Sequence, residues 1–443
     1  MKKETVLTQP VQEPFLEIQG GASLTGQVAL PGAKNAALPA IVAACLSAEP
    51  TTLYNVPTGL NDVKLLIELL RSLGVSIQER EPGTLVCAGS DWRERPLEGD
   101  KAGSLRHSLL LLGAAAYWHT DLFLPMPGGC KLGSRKHDLH LLALRTLGFE
   151  VREEEGIRLG SQKAQGDAHI AFHYPSFGGT LNVLFAASGS KGTTRLENAA
   201  RNPEVLDVIA LLSSMGADIH WETPSTLRIR GRTLRGTEHT VMSDRIIAST
   251  LIAATAVTKG HILIENATTK VLEAETSAWR GAGLSLEERG DGIEVTAPER
   301  PQAVSIRTKA YPGFHTDIQP LHAAMMSVAE GETRIEETIL DGRFRYAAEL
   351  HKMCADMRVE AGDFTCVNGA PGQVLRIRGV AKLRGAHVQA TDIRGGAAVV
   401  VAALAAEGTT YVTNLYQLER GYKDLHTLLS ALGARVERNK GTM

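Results

Sequence analysis

One pattern recurs along the chain at intervals of about 70 residues, and it limits the fold more than any other feature. A helix-like apolar segment ends in a small-residue turn and a short alternating strand: SLGVSIQER, TLGFEVREE, SMGADIHWE, GAGLSLEER, CADMRVEAG and ALGARVERN. The turn glycines are Gly74, Gly148, Gly216, Gly283 and Gly433, with Ala355 in the fifth copy, so the spacings are 74, 68, 67, 72 and 78 residues. Six such units account for nearly all of the 443 residues. Each unit also holds an earlier segment rich in Ala and Leu: AKNAALPAIVAACLSAEP, SLRHSLLLLGAAAYWHT, GGTLNVLFAASGSKG, DRIIASTLIAATAVTKG, TDIQPLHAAMMSVAEG and DIRGGAAVVVAALAAEG. These are apolar nearly all round, which predicts buried helices, whereas second helices such as VKLLIELLRSLG keep a polar face. A β-rich piece (TTLYNV, TTRLENA, GHILIENA) stands between the two. The fold class expected is α/β, with βαβ-type units grouped as two globular halves of three.

Composition removes several classes of function. Lys and Arg total 47 against 49 Asp and Glu, a net charge of −2. No nucleic-acid partner is expected, because phosphates call for a basic excess. The longest apolar stretches, residues 109–118 and 397–406, fall well short of the roughly 20 residues that cross a bilayer, so no membrane insertion is expected. MKKETVLTQPVQEP carries two lysines with no apolar run behind them, and no secretory signal is read there. Five scattered cysteines suit a reduced, cytoplasmic chain.

The polar residues gather where the buried helices begin: Lys34 and Asn35, Arg106, Ser176 to Thr180, Asp244, Asp317, then Asp392 and Arg394. Aspartate or serine there is ordinarily an N-cap, which is a sufficient account of Asp244 and Asp392. Lys34, Arg106 and Arg394 are different, because the helix dipole disfavours cations at its N-terminus and so points to an anion. Arg135, Arg343 and Arg420 recur at the starts of second helices, where a solvated surface arginine is the plain alternative for any single one. Convergent cations suit a small ligand with several negative charges, such as a carboxylate plus phosphate. In LPMPGGCKLGSRKHDLH, Cys130 follows two glycines beside Lys131, and cations lower a thiol pKa from about 8.5 towards neutrality. The other four cysteines read as small core hydrophobes. His137 and His140 lack partners at zinc spacing, so no metal is expected. SFGGT matches neither the dinucleotide nor the P-loop fingerprint, and no cofactor is expected.

Taken together, PGAKNAALP, MPGGC with GSRKHDLH, ENAARNPEVLD, FHTDIQ, GRF, ATDIRGGAA and ERGYKDL resemble the enolpyruvyl transferases over residues 16 to 438. The branch acting on UDP-N-acetylglucosamine is nearer and the shikimate-phosphate branch more distant. The resemblance implies a two-domain inside-out α/β barrel of six repeated units. Residues 34–242 would hold repeats one to three, and residues 1–33 plus 243–443 repeats four to six, with crossings close to Ala33 and Met242. It also implies enolpyruvyl transfer from phosphoenolpyruvate to a hydroxyl of a uridine nucleotide, with phosphate released by addition and elimination. Lys34, Arg106, Arg135, Arg343, Arg394 and Arg420 match positions that bind phosphoenolpyruvate. Cys130, Asp317, Lys34 and Arg420 match the catalytic set. Cys130 matches the loop cysteine that helps protonate the methylene carbon and is the target of fosfomycin, and Asp317 the carboxylate next to the acceptor hydroxyl. The acceptor side comprises Asn35, Arg135, Lys136, His137, Asp138, Leu139, His140, Ser176, Phe177, Gly178, Asp317 and Ile339.

Of three departures from the family pattern, the first two touch the nucleotide and sugar pockets, while the phosphoenolpyruvate side is intact. Arg-Pro-(Val/Ile)-Asp is replaced by Arg135-Lys136-His137-Asp138, the aromatic position is Leu340, and SVGAT has become Ser176-Phe177-Gly178-Gly179-Thr180. Two acceptors follow: the 3-hydroxyl of UDP-N-acetylglucosamine, as in peptidoglycan biosynthesis, and another uridine nucleotide such as UMP at its ribose 3′-hydroxyl, as in nucleoside-antibiotic biosynthesis. A non-catalytic nucleotide-sugar binder is the third reading. Retention of Lys34, Cys130, Asp317 and Arg420 together argues against it, since binding alone needs no general acid.

Overall fold

A computed structural model of the chain describes residues 13–93, 97, 99–126, 128, 136–160 and 166–441. The apolar segments form the helices Lys34–Ala44, Leu110–Trp118, Phe177–Ser188, Arg245–Val257, Gln319–Met326 and Ile393–Ala405. Nearly every residue in them is buried, as a helix without a polar face requires. The amphipathic segments form the helices Asn61–Ser72, Asp138–Thr146, Pro203–Ser214, Glu273–Gly281, Tyr346–Lys352 and Leu425–Ala431. After five of these the chain reverses through a left-handed glycine: Gly74, Gly148, Gly216, Gly283 or Gly433, with φ between 91° and 101°.

After the helix Tyr346–Lys352 the left-handed residue is Cys354, at φ 68°, and not Ala355. The expected register there was one residue out. Cys354 is also exposed, unlike Cys45, Cys87 and Cys366, so it is not the core hydrophobe that the sequence suggested. A side chain held in this region costs roughly 1–2 kcal/mol, part of which glycine returns as chain entropy. Cys354→Gly is therefore expected to raise the unfolding free energy by about 0.5–1 kcal/mol. Urea titration measures it, and a less stable variant would contradict the strain.

Among the described residues, five four-stranded sheets share one plan, a parallel edge strand followed by two antiparallel pairings. Ala168–Ala171, for example, lies parallel to Thr193–Glu197, which pairs antiparallel with Thr226–Arg230. The inner strand repeatedly ends in a left-handed asparagine. The side-chain amides of Asn55, Asn198 and Asn414 donate to the carbonyls of Val241, Phe172 and Ala390 at 3.0, 3.1 and 2.8 Å. Asparagine tolerates that backbone region, and its amide fastens the strand end to the segment continuing its parallel neighbour.

Buried apolar side chains fall into two clusters, one within residues 33–241 and the other within residues 16–30 and 246–436. The strand Phe15–Gln19 lies between Thr409–Thr413 and Arg435–Asn439, so the start of the described chain belongs to the second core. The two passages between the cores run side by side. Ala33 N donates to the Met242 carbonyl at 2.8 Å, and Asp244 N to the Pro31 carbonyl at 2.9 Å. Gly32 is required at this crossing, because a Cβ there would fall 1.7 Å from the Asn55 carbonyl oxygen. Among the described residues no helix is long and apolar enough to cross a membrane.

Candidate active site

Residues of both cores line one cavity of about 510 Å³. Lys34 opens its helix with a buried ammonium, 3.1 Å from Asp62 Oδ2. Arg420 Nε donates to the other oxygen of Asp62 at 3.0 Å, across 358 residues of sequence. Burial is the largest influence on both members of the first pair. It holds Lys34 below its ordinary value, and it would raise Asp62, which Lys34 and Arg420 instead keep below the usual carboxylate range. Asp62 was not singled out from the sequence. An acid in the first turn of an amphipathic helix complements the dipole and so attracts no notice.

Asp317 forms a second centre. Its Oδ1 accepts from Arg343 Nη2 at 2.8 Å and its Oδ2 from Arg394 Nε at 3.2 Å. Asp317 is not a helix cap, since the helix begins at Gln319 after Ile318. Arg343 is 1% exposed, and it also donates to the Thr316 carbonyl at 3.2 Å and to Asp392 Oδ1 at 3.4 Å. Arg394 lies over the Tyr422 ring, 5.2 Å from its centroid. Asp392 and Asp244 are N-caps, as expected: Asp392 accepts from Arg394 N and Gly395 N, Asp244 from Ile246 N and Ile247 N.

Asn35, Arg106, Lys136, Asp138, Leu139, His140, Ser176, Phe177, Gly178, Ile339 and Leu340 also line the cavity. Arg106 donates to the Lys136 carbonyl at 2.7 Å, and Ser176 caps the helix Phe177–Ser188 by accepting from Gly179 N. The tautomer of buried His140 follows from its neighbours. Gly113 N donates to Asn182 Oδ1, so the Asn182 amide nitrogen faces the imidazole and donates to His140 Nδ1 at 2.8 Å. The ring proton therefore sits on Nε2, close to Gly178, where a Cβ would lie 2.8 Å from that nitrogen. Burial foremost, then Arg106, His137 and His107, lowers His140 to about 3, so the ring is neutral.

One expected acceptor residue is elsewhere. His137 does not line the cavity; its Nε2 lies 3.1 Å from Glu153 Oε2, because the residue just before the helix Asp138–Thr146 turns outward onto a neighbouring strand. Cys130 and Arg135 lie outside the described residues. Besides Asp62, the sequence did not disclose the buried pair of Glu204 and Arg245, bonded twice at 2.9 and 3.3 Å. Nor did it single out His315, whose Nδ1 accepts from Asp317 N at 3.1 Å and which burial, then Arg245, lowers to about 4. Glu204 and His315 both line the cavity. The available signal was a cation, Arg245, at the first residue of a helix buried along its whole length.

A family model described as EPSP synthase (3-phosphoshikimate 1-carboxyvinyltransferase) matches residues 18–429. A UDP-N-acetylglucosamine 1-carboxyvinyltransferase from Trichlorobacter lovleyi is 39% identical over 427 residues, covering 96% of this chain and 98% of that protein. UDP-N-acetylglucosamine 1-carboxyvinyltransferase 2 from Caldanaerobacter subterraneus subsp. tengcongensis is also 39% identical, covering 95% and 99%. The crystal structure of the enolpyruvyl transferase NikO from Streptomyces tendae superposes with a TM-score of 0.84 at 26% identity, covering 97% of this chain and 99% of that one. The motifs that gather at the cavity, from the lysine of AKN to the arginine of ERGYKD, are thus carried by a chain that belongs to the EPSP synthase family of enolpyruvyl (carboxyvinyl) transferases.

Proposed function

We propose that this chain transfers the enolpyruvyl group of phosphoenolpyruvate to the 3-hydroxyl of UDP-N-acetylglucosamine and releases inorganic phosphate. The observation that carries the reading is the meeting of Lys34, Arg106, Arg343, Arg394 and Arg420 on one cavity, with Asp62 and Asp317 holding four of them. A ligand with a carboxylate and a phosphate can exchange with such carboxylates, matching planar guanidinium groups to its own oxygens. The names of the relatives support the acceptor.

In this reading a proton reaches the methylene carbon of phosphoenolpyruvate, and Cys130 is proposed as its donor. The carbon bearing the phosphate becomes oxocarbenium-like, and the acceptor oxygen attacks it while Asp317 takes the hydroxyl proton. The tetrahedral adduct then loses a methyl proton and phosphate, whose charge the arginines and Lys34 hold. When phosphoenolpyruvate engages Arg394 or Arg343, an oxygen of Asp317 is freed to accept the proton. Asn35, Lys136, Asp138, Leu139, His140, Ser176, Phe177, Gly178 and Ile339 are proposed to hold the nucleotide sugar, and Arg135 to bind both ligands. The two cores and the paired crossings support domains of residues 34–242 and of residues 1–33 plus 243–443, built as inside-out barrel halves of three units each. Closure of one on the other would exclude water from the reacting carbon. The reading places the enzyme in the cytoplasm, in peptidoglycan biosynthesis.

A second reading, transfer to the ribose 3′-hydroxyl of UMP, has support in Leu340, which offers no aromatic face to an acetamido sugar. Phosphate release from phosphoenolpyruvate, assayed with UDP-N-acetylglucosamine, UMP, UDP and uridine, separates the two. The expected result is turnover with UDP-N-acetylglucosamine and none with UMP. Lys136 takes part in the proposed acceptor set through its backbone carbonyl, which accepts from Arg106, while the residue is exposed; Lys136→Pro keeps the carbonyl and should alter the acceptor KM by less than about 3-fold. Turnover of UMP alone, with Lys136→Pro raising its KM about 10-fold, would overturn the proposed acceptor; that is the scale of one lost charge-assisted hydrogen bond.

A further inference from the structure

Glu337 ends the strand Glu332–Glu337 and is 0% exposed. Its two oxygens serve different segments. Oε1 accepts from Ile339 N at 2.9 Å, Leu340 N at 3.0 Å and Thr308 Oγ1 at 3.0 Å. Oε2 accepts from Thr316 Oγ1 at 3.0 Å. Ile339, Leu340 and Thr316 all line the cavity, and Glu337 itself does not. Thr316 precedes Asp317 directly, and its carbonyl accepts from Arg343 Nε.

A carboxylate satisfied by four hydrogen bonds at 2.9–3.0 Å is a rigid joint, and moving Thr316 would strand Oε2, whose bond it supplies, in a buried site. A cap for the turn after the strand would need only the bonds to Ile339 and Leu340. The bond to Thr316 has another consequence. It fixes the distance between the turn proposed to meet the acceptor and the segment that carries Asp317. Catalysis by a base requires its oxygen within hydrogen-bond reach of the attacking hydroxyl, and a displacement of about 1 Å can cost 10²-fold in rate.

We propose that Glu337 is a positioning residue that couples the acceptor-binding turn at Ile339 and Leu340 to Asp317 through Thr316. The proposal rests on the reading of Asp317 as the base for the acceptor hydroxyl.

The test is Thr316→Val beside Thr316→Ser, with kcat and both KM values measured. Valine keeps the shape and removes only the hydroxyl that reaches Glu337. The expected result is a kcat about 10-fold lower and a raised acceptor KM, with the phosphoenolpyruvate KM within about 2-fold of wild type. Thr316→Ser should restore kcat to within about 2-fold. A purely structural role would lower thermal stability and leave this split absent. Wild-type kinetics in folded Thr316→Val, or equal losses in the valine and serine variants, would overturn the proposal. Should Thr316→Val fail to fold, Glu337→Gln carries the same test: a kcat several-fold lower with an unchanged phosphoenolpyruvate KM supports it, and wild-type kinetics refute it. Near-normal turnover of Asp317→Asn would instead remove the reading on which this rests. A slow Asp317→Asn beside an unaffected Thr316→Val removes the coupling alone.

Discussion

Asp317→Asn is expected to lower kcat by about 10² or more while leaving the phosphoenolpyruvate KM nearly unchanged. Asparagine keeps the size of the side chain and one hydrogen-bond acceptor, so Arg343 or Arg394 can still be held in place. What is lost is a group able to take the acceptor proton while the carbon–oxygen bond forms. Steady-state assays with each substrate varied in turn read the split. A kcat within about 3-fold of wild type would reduce Asp317 to a strut between two arginines.

Asp62→Asn is expected to cost about 3–5 kcal/mol of stability, a large share of what a protein has. Asp62 is 6% exposed and is bonded to both Lys34 and Arg420. An amide in its place leaves two buried cations without a counter-charge, and Arg394 already repels Lys34. Because burial lowers Lys34 in the folded state, the unfolded chain binds more protons below pH 10.5, and stability rises as pH approaches that value. The deficit of Asp62→Asn should therefore shrink as the pH is raised. Phosphoenolpyruvate should recover more stability in the variant than in wild type, because its phosphate supplies the missing charge. Urea unfolding with and without it is the measurement, and a variant within 1 kcal/mol of wild type would contradict the account.

The buried helices were legible because a segment that is apolar all round has nowhere to go but inside, whatever its neighbours. Lys34, Arg106 and Arg394 were legible because each opposes the field of its own helix start, and something outside the helix must answer it. Their carboxylate partners were not. Asp62 and Glu204 stand in first turns, where acids are locally favourable, so a local rule explained them and concealed a long-range bond. Ala355 was matched to the turn glycines by its small size. The physical requirement is a positive φ, and Cys354 meets it under strain. His137 was misplaced because its neighbours in sequence face the cavity, while side-chain direction at a helix start changes from one residue to the next.

The strand Phe15–Gln19 is made early and pairs late. Both its neighbours, Thr409–Thr413 and Arg435–Asn439, emerge roughly 400 residues after it during synthesis. Everything in the first core lies within one uninterrupted run, and so it can assemble while the rest of the chain is still being translated. The second core must wait for the last strand, and closing so long a loop makes it the slower of the two to form. For much of its synthesis, then, the molecule is a folded first half carrying an unpaired strand. A chain stopped before residue 409 would keep the cations Lys34 and Arg106 while lacking Arg420, the partner that Asp62 holds from the other side.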